Sequence, residues 1–236
     1  MKYQILGDSD CPLVDIDLCQ GETIMIENGS MAYMSNVTIN GKMNTEKKGV
    51  AGFFSAIGRS LVSGESMFIT EAVGDTDDGK IGIAPAIPGK IMSLDVGERQ
   101  YCLNTGAFLA CDSTVRYNLV AQDLGKALFG GTGGLFVMET AGEGEMLVNA
   151  FGDILELEVT PDRPLIIDNE HVVAWDSSLD YNIQIASGMF GFTTGEGFVN
   201  HFTGYGKILI QTRNTHSLAN EIRKFIPTQS SSSSNN

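Results

Sequence analysis

Phe108-Leu109-Ala110-Cys111-Asp112-Ser113-Thr114-Val115-Arg116-Tyr117-Asn118-Leu119 is answered by Val172-Val173-Ala174-Trp175-Asp176-Ser177-Ser178-Leu179-Asp180-Tyr181-Asn182-Ile183. The offset is a constant 64 residues and five positions are identical. A fainter third copy, Met31-Ala32-Tyr33-Met34-Ser35-Asn36-Val37, keeps an Ala, a Ser and a β-branched residue, with Met34-Ser35 standing where the others have Asp-Ser. Self-similarity at this spacing marks a chain built from supersecondary units that bury their apolar faces against one another.

Each copy is followed by a second shared element: Gly64-Glu65-Ser66-Met67-Phe68, Gly133-Gly134-Leu135-Phe136-Val137 and Gly195-Glu196-Gly197-Phe198-Val199. A glycine-punctuated stretch comes next each time, beginning at Gly74 and Gly79, at Gly142 and Gly144, and at Gly204 and Gly206. Alternating strands around such glycines read as a hairpin whose turn uses positive φ. Ile16/Leu18, Leu94/Val96 and Leu157/Val159 alternate with charged residues, the period of a strand with one buried face. The expected fold is all-β, with units of β-sandwich or double-stranded β-helix type sharing one core and one or two short helices. The units are approximately 10–83, 88–150 and 151–212, within a single domain over 1–227.

Two segments depart from the strand pattern. Residues 50–62 place Val50, Phe53, Phe54, Ile57 and Leu61 on one helical face. A C-terminal helix is expected over 217–226, capped by Ser217, striped by Leu218, Ile222 and Phe225, and ended by Pro227. The Ser/Asn-rich tail 228–236 has the composition of a disordered segment.

Bulk chemistry narrows the function classes. The chain of 236 residues has 15 Lys and Arg against 29 Asp and Glu, a net charge of −14 that repels phosphate backbones, so nucleic acid is not an expected partner. The N-terminal stretch has no apolar signal core, no run spans a bilayer, and the expected location is cytoplasmic. Cys11, Cys19, Cys102 and Cys111 form no C-x-x-C pair, so they read as reduced, mostly buried thiols with no metal and no cofactor attached.

The local motifs lead to the same place. Gly74-Asp75-Thr76-Asp77-Asp78-Gly79-Lys80-Ile81 nearly spells a phosphate loop, but Ile81 replaces the hydroxyl and three aspartates would repel phosphate. As a calcium loop it lacks the twelfth-position glutamate. The repeated Asp112-Ser113 and Asp176-Ser177 fit turn closure by side-chain bonds to nearby amides. His171, His201 and His216 fall at unrelated places in the copies, and no catalytic set emerges. Two candidate surfaces remain: an apolar interaction surface of Phe53, Phe54, Ile57 and Leu61, flanked by Lys47, Lys48 and Arg59, and a polar site of Glu65, Glu196 and His201.

Gly64-Glu65-Ser66-Met67-Phe68, Pro88-Gly89, Gly106-Ala107-Phe108-Leu109-Ala110, Gly195-Glu196-Gly197 and Gly204-Tyr205-Gly206 through Gln211-Thr212-Arg213 together make a pattern over nearly the whole chain. It resembles the family of the fungal altered-inheritance-of-mitochondria protein twenty-four and its uncharacterised bacterial relatives. One departure is Gly133-Gly134, where the family often has Gly-Glu-Gly. The resemblance implies a fold like that of the trp RNA-binding attenuation protein, three units per chain and three chains in a nine-unit ring, with no catalytic residues. The expected function is a non-enzymatic scaffold or interaction protein in a homotrimer. The alternatives are a membrane-surface adaptor and a small-molecule binder with its site between repeats or subunits.

Overall fold

The structure is a computed structural model and describes residues 1–7, 9–43, 68–121, 136–185 and 198–226. Its strands are β1 (Lys2–Leu6), β2 (Leu13–Leu18), β3 (Thr23–Glu27), β4 (Met31–Ser35), β5 (Val37–Met43), β6 (Phe68–Gly74) and β7 (Gly79–Ile83). Six more follow: β8 (Ile91–Val96), β9 (Tyr101–Asn104), β10 (Phe108–Asp112), β11 (Val115–Ala121), β12 (Phe136–Gly142) and β13 (Gly144–Asn149). The last six are β14 (Ile154–Val159), β15 (Leu165–Asp168), β16 (Val172–Asp176), β17 (Asp180–Ile185), β18 (Phe198–Thr203) and β19 (Gly206–Gln211), before a helix, α1 (Thr215–Arg223). The fold is all-β.

Alternation sets the faces. In β2, Val14, Ile16 and Leu18 are buried while Asp15 and Asp17 point outward, each 2.8 Å from the Lys80 ammonium. Lys80 and Lys2 hold the Asp17 carboxyl down at about 2, with the Lys80 hydrogen bond the larger cause.

The strands form sheets in the orders β1-β2-β7-β4, β5-β6-β3-β10-β13-β8, β11-β12-β9-β16-β19-β14 and β15-β18-β17. Adding six to every strand number of the first six-stranded sheet yields the second. Each of these two sheets is therefore made of two trios, joined in one case by β3 beside β10 and in the other by β9 beside β16. Buried side chains gather into three clusters, each filled from two successive sheets; the last is built around Trp175, Phe202 and Ile208.

Four sequence expectations need correction. The glycine stretches are not hairpins, because β6 pairs with β3 and β5 while β7 pairs with β2 and β4 in another sheet. The turn carries the chain from one sheet to the next, as it also does between β12 and β13 and between β18 and β19. Positive φ is used at Gly142, Gly144 and Gly204 but not at Gly74, Gly79 or Gly206. At Gly206 the need is space, since a Cβ would lie 2.9 Å from Leu179 Cγ and 3.0 Å from Asp176 Oδ2.

The third correction concerns the first copy. Met34 faces Ile81 in β7 as Trp175 faces Ile208 in β19, and those partners stand at equal distances from Gly79 and Gly206. Ser35, rather than Met34, therefore occupies the Asp176 position. Asn36, at φ 53°, makes the turn one residue shorter there.

The fourth concerns the helix. α1 begins at Thr215 because the Asn214 side-chain oxygen accepts from the Ser217 amide at 2.7 Å, so Ser217 lies inside the first turn. Its apolar stripe, Leu218, Ile222 and Phe225, is exposed. Residues 50–62, Pro227 and the tail 228–236 lie outside the described residues.

Candidate functional site

The sites of interest lie where one trio meets the next. Asp176, at the end of β16, accepts from the Lys207 amide at 2.8 Å, and Asp112, at the end of β10, accepts from the Glu145 amide at 2.7 Å. Both carboxylates staple a strand end to the start of its neighbour, far along the chain rather than in a nearby turn as expected. Asp176 also faces Arg99 Nε at 3.4 Å, whereas Asp112 faces the Met1 amino group at 2.8 Å. A cleft of about 460 Å³ opens beside Asp176, between Arg99, Tyr205 and Lys207.

A second cavity, of about 350 Å³, lies at the opposite end of these strands. Its polar lining among the described residues is Glu27, Asn104, Asn149, Asn169, Glu170, Gln211 and Thr215. Asn104 closes β9, and its Nδ2 donates to the carbonyls of Asn169 at 3.0 Å and Val172 at 2.6 Å. Gln211 closes β19; its Nε2 donates to the Glu170 carbonyl at 2.8 Å and its Oε1 accepts from the Phe151 amide at 2.9 Å. Asn149 takes the same place in β13, facing Ile91 as Gln211 faces Ile154. Among the described residues its Oδ1 is buried without a partner. Glu27 ends β3 as Asn104 ends β9, and burial pushes its carboxyl up to about 7.

The structure describes only one member of the predicted polar site. His201 sits in mid-β18 opposite Ile166 and Asn182, and it lines neither opening described above. Glu65 and Glu196 lie outside the described residues, as do Phe53, Phe54, Ile57 and Leu61. His171 has a structural part: Nδ1 is 2.7 Å from the Gln211 carbonyl and Nε2 is 3.0 Å from Asn214 Nδ2. These partners require Nδ1 to donate and Nε2 to accept. Among the cysteines, Cys102 and Cys111 are buried, with thiols pushed up to about 12 by desolvation, but Cys11 and Cys19 are exposed. Among the described residues no three His, Cys, Asp or Glu gather as a metal site, and no helix is long and apolar enough to cross a membrane.

The carboxylates of the Asp75-to-Asp78 loop are taken up locally. Thr38 donates to Asp75 at 2.9 Å, the Gln20 amide to Asp77 at 3.1 Å, and Asn36 to Asp78 at 3.1 Å. Sequence reasoning missed Glu27, Asn104, Asn149 and Gln211. Their only trace in the sequence is that polar residues recur at the same strand ends in successive copies.

A family model described as mitochondrial biogenesis AIM24 matches residues 3–213. The chain belongs to that family. An uncharacterised protein of Streptococcus pyogenes serotype M6 is 47% identical over 232 residues, covering 98% of this chain and 93% of the relative. This chain is also similar to a Streptococcus pyogenes protein solved by X-ray crystallography. That structure is 44% identical, has a TM-score of 0.79, and covers 95% of this chain and 99% of its own.

Proposed function

We propose that the chain is three copies of one six-stranded unit and works as a subunit of a homotrimeric head-to-tail ring that holds partners rather than catalysing. The observation that carries this reading is the contrast among three strands at the same place in the topology. β16 is buried throughout and β10 nearly so, whereas every residue of β4 is exposed. β10 and β16 are covered on one edge by β3 and β9; among the described residues β4 is the bare edge of its sheet. The strand that would cover it, by position, is β15, which among the described residues is the bare edge at the other end of the chain. Met31, Tyr33 and Met34 on the one and Ile166 on the other are exposed apolar side chains, a costly arrangement for a free edge.

The two existing junctions supply the register. Leu103 faces Ala174 and Ile26 faces Ala110. Carried over, Ile167 of one copy faces Tyr33 of the next, Ile166 faces Met34, and Leu165 faces Ser35. A contact between two different surfaces of one chain closes into a ring when the rotation allows, and three is the number of chains that the family resemblance implies. The scaffold role is supported by the polar groups at the junctions, since Asp112, Asp176, Asn104 and Gln211 are spent on backbone hydrogen bonds.

Light scattering coupled to size exclusion tests the ring. The expected mass is three chains, falling to one in Met34→Lys and in Ile166→Lys. A wild-type monomer at micromolar concentration sinks the reading. So does a trimer that survives both substitutions.

A further inference from the structure

β1 lies on the outer edge of β2, whereas the corresponding edge of β8 is bare among the described residues. Register fixes the correspondence. Leu18, Asp17 and Ile16 face Gly79, Lys80 and Ile81 in β7 as Val96, Asp95 and Leu94 face Gly144, Glu145 and Met146 in β13. Val14, beside β1, has no exposed surface, but Met92 in its place is half-buried. Lys90 gives its amide to the Gly152 carbonyl at 2.8 Å and accepts from the Ala150 amide at 3.0 Å. Alternate residues of a strand aim their backbone groups the same way. Met92 and Leu94 therefore serve β13, and Ile91, Ser93 and Asp95 turn theirs to the free edge.

The cleft beside Asp176 continues that edge. One unit earlier, β1 leads back to Met1, whose amino group meets Asp112 at 2.8 Å and lies within the field of Glu22 and Glu145. Tyr3 donates to Glu145 at 2.8 Å. The residues in the places of those three carboxylates are Asp176, Arg99 and Lys207, and they line the 460 Å³ cleft. Edge and cleft together are the space that residues 1–6 fill in the preceding unit. The cleft is of mixed charge, with Glu98, Glu158 and Asp176 against Arg99 and Lys207. Arg99 already brings Asp176 the cation that Met1 brings Asp112, so an occupant needs no free amino terminus. A phenol that donates to Glu145 can accept from Lys207, whose ammonium otherwise meets Glu156 at 2.6 Å. On the outer face, Asp95 stands where Asp17 holds Lys2 at 2.9 Å.

We propose that β8 and this cleft bind an extended segment of a partner protein as an added antiparallel strand. Its aromatic side chain lies over Leu94 and reaches Lys207, an aliphatic one lies over Met92, and a lysine on the outer face meets Asp95. Main-chain bonds supply the affinity of such additions and the alternate side chains supply the selectivity. The edge of β14 is also bare among the described residues, but the wall beyond it would have to come from a neighbouring copy. The β8 site is complete within one chain. It gives the scaffold a place to hold a partner, and its failure would leave the ring standing.

Fluorescence anisotropy with labelled acetyl-Met-Lys-Tyr-Gln-Ile-Leu-Gly-amide, the sequence of residues 1–7 with both ends capped, tests the site. The expected result is saturable binding with a Kd between about 1 μM and 1 mM. Ser93→Pro removes an N–H that faces the free edge and no bond to β13, so the fold should persist and binding should fall about tenfold or more. Replacing the peptide's glutamine, which would pair with Ser93, by proline should do the same. A charge cycle needs no proline: Asp95→Lys should weaken the peptide about fivefold and favour its lysine-to-glutamate version by a similar factor. No saturable signal up to about 5 mM overturns the proposal. Undiminished binding by Ser93→Pro also overturns it, since the peptide would then have exchanged with β1 on β2. Equal binding of the proline peptide, or a charge cycle with no coupling, does so as well.

Discussion

The two places where trios join, β3 beside β10 and β9 beside β16, have the same backbone and different side chains. Ile24, Met25 and Ile26 face Asp112, Cys111 and Ala110, as Tyr101, Cys102 and Leu103 face Asp176, Trp175 and Ala174. At the second junction Trp175 fills the space, edge-on to Tyr181 at 4.9 Å and to Phe202 at 5.5 Å between ring centres. Arg99 meets Asp176, and Asn104 ties down two carbonyls of the neighbouring trio. At the first, Cys111 stands in place of the tryptophan, Glu22 in place of Arg99, and Glu27 in place of Asn104. The comparison separates what the topology requires from what each junction adds. An Asp staple to a strand amide occurs in both; the aromatic plug and the amide clamp occur in one.

If the second junction is the better sealed, cutting its plug should cost most. Trp175→Ala should lower the unfolding free energy by about 3–5 kcal/mol, while Cys111→Ala at the matching position should cost about 1 kcal/mol. Urea titrations of the two variants measure the difference. Equal losses would mean that the junctions are packed alike despite their residues.

The clamp comes next. Asn104→Asp places a carboxylate against the carbonyls of Asn169 and Val172, which then have lost their donor. The expected loss is about 2–3 kcal/mol, read by the same titration, with Asn104→Gln closer to wild type. A neutral Asn104→Asp would remove the distinction between the junctions at this position.

The smallest effect belongs to the first junction. Glu27 titrates at about 7 in the folded chain, above its ordinary value of 4.5, because burial disfavours the anion. Its contribution is therefore full below the ordinary value and is lost as pH rises through about 7. The melting temperature should fall between pH 5 and pH 8, and Glu27→Gln should flatten that slope by about 2–4 °C, corresponding to about 1 kcal/mol after allowance for solvent screening. An unchanged slope would mean that Glu27 is solvated like any surface carboxylate.

Strand faces were legible from the chain because a period of two survives in β2 and β8 whatever they pair with. The correspondence of β10 with β16 was legible from Ala110, Asp112 and Tyr117 against Ala174, Asp176 and Tyr181. The sheet crossing was not. A glycine turn between two alternating segments reads the same whether the chain returns to its own sheet or enters the next. The difference lies in Leu179 and Asp176 crowding Gly206, a contact with residues far back along the chain. The cavity was hidden for a related reason. Glu27, Asn104 and Asn149 are single polar residues at strand ends, where loop punctuation is expected, and only the meeting of trios buries them. Asn149 stands where Gln211 stands in β19, and Pro88, three residues before Ile91, stands where Phe151 gives its amide to Gln211.

The passage of the chain between sheets after β6, β12 and β18 has a consequence for how the molecule is made. Ile26 leaves the ribosome long before Ala110, the residue it must pair with, and Leu103 waits in the same way for Ala174. Such pairings pay loop-closure entropy before any contact rewards it, which places folding in the slow, millisecond-to-second class of non-local β topologies. It also means that a break in the connection between Ile83 and Ile91 would not release an independent N-terminal piece. β3, β5 and β6 would stay woven into a sheet whose other half comes from the segment after the break.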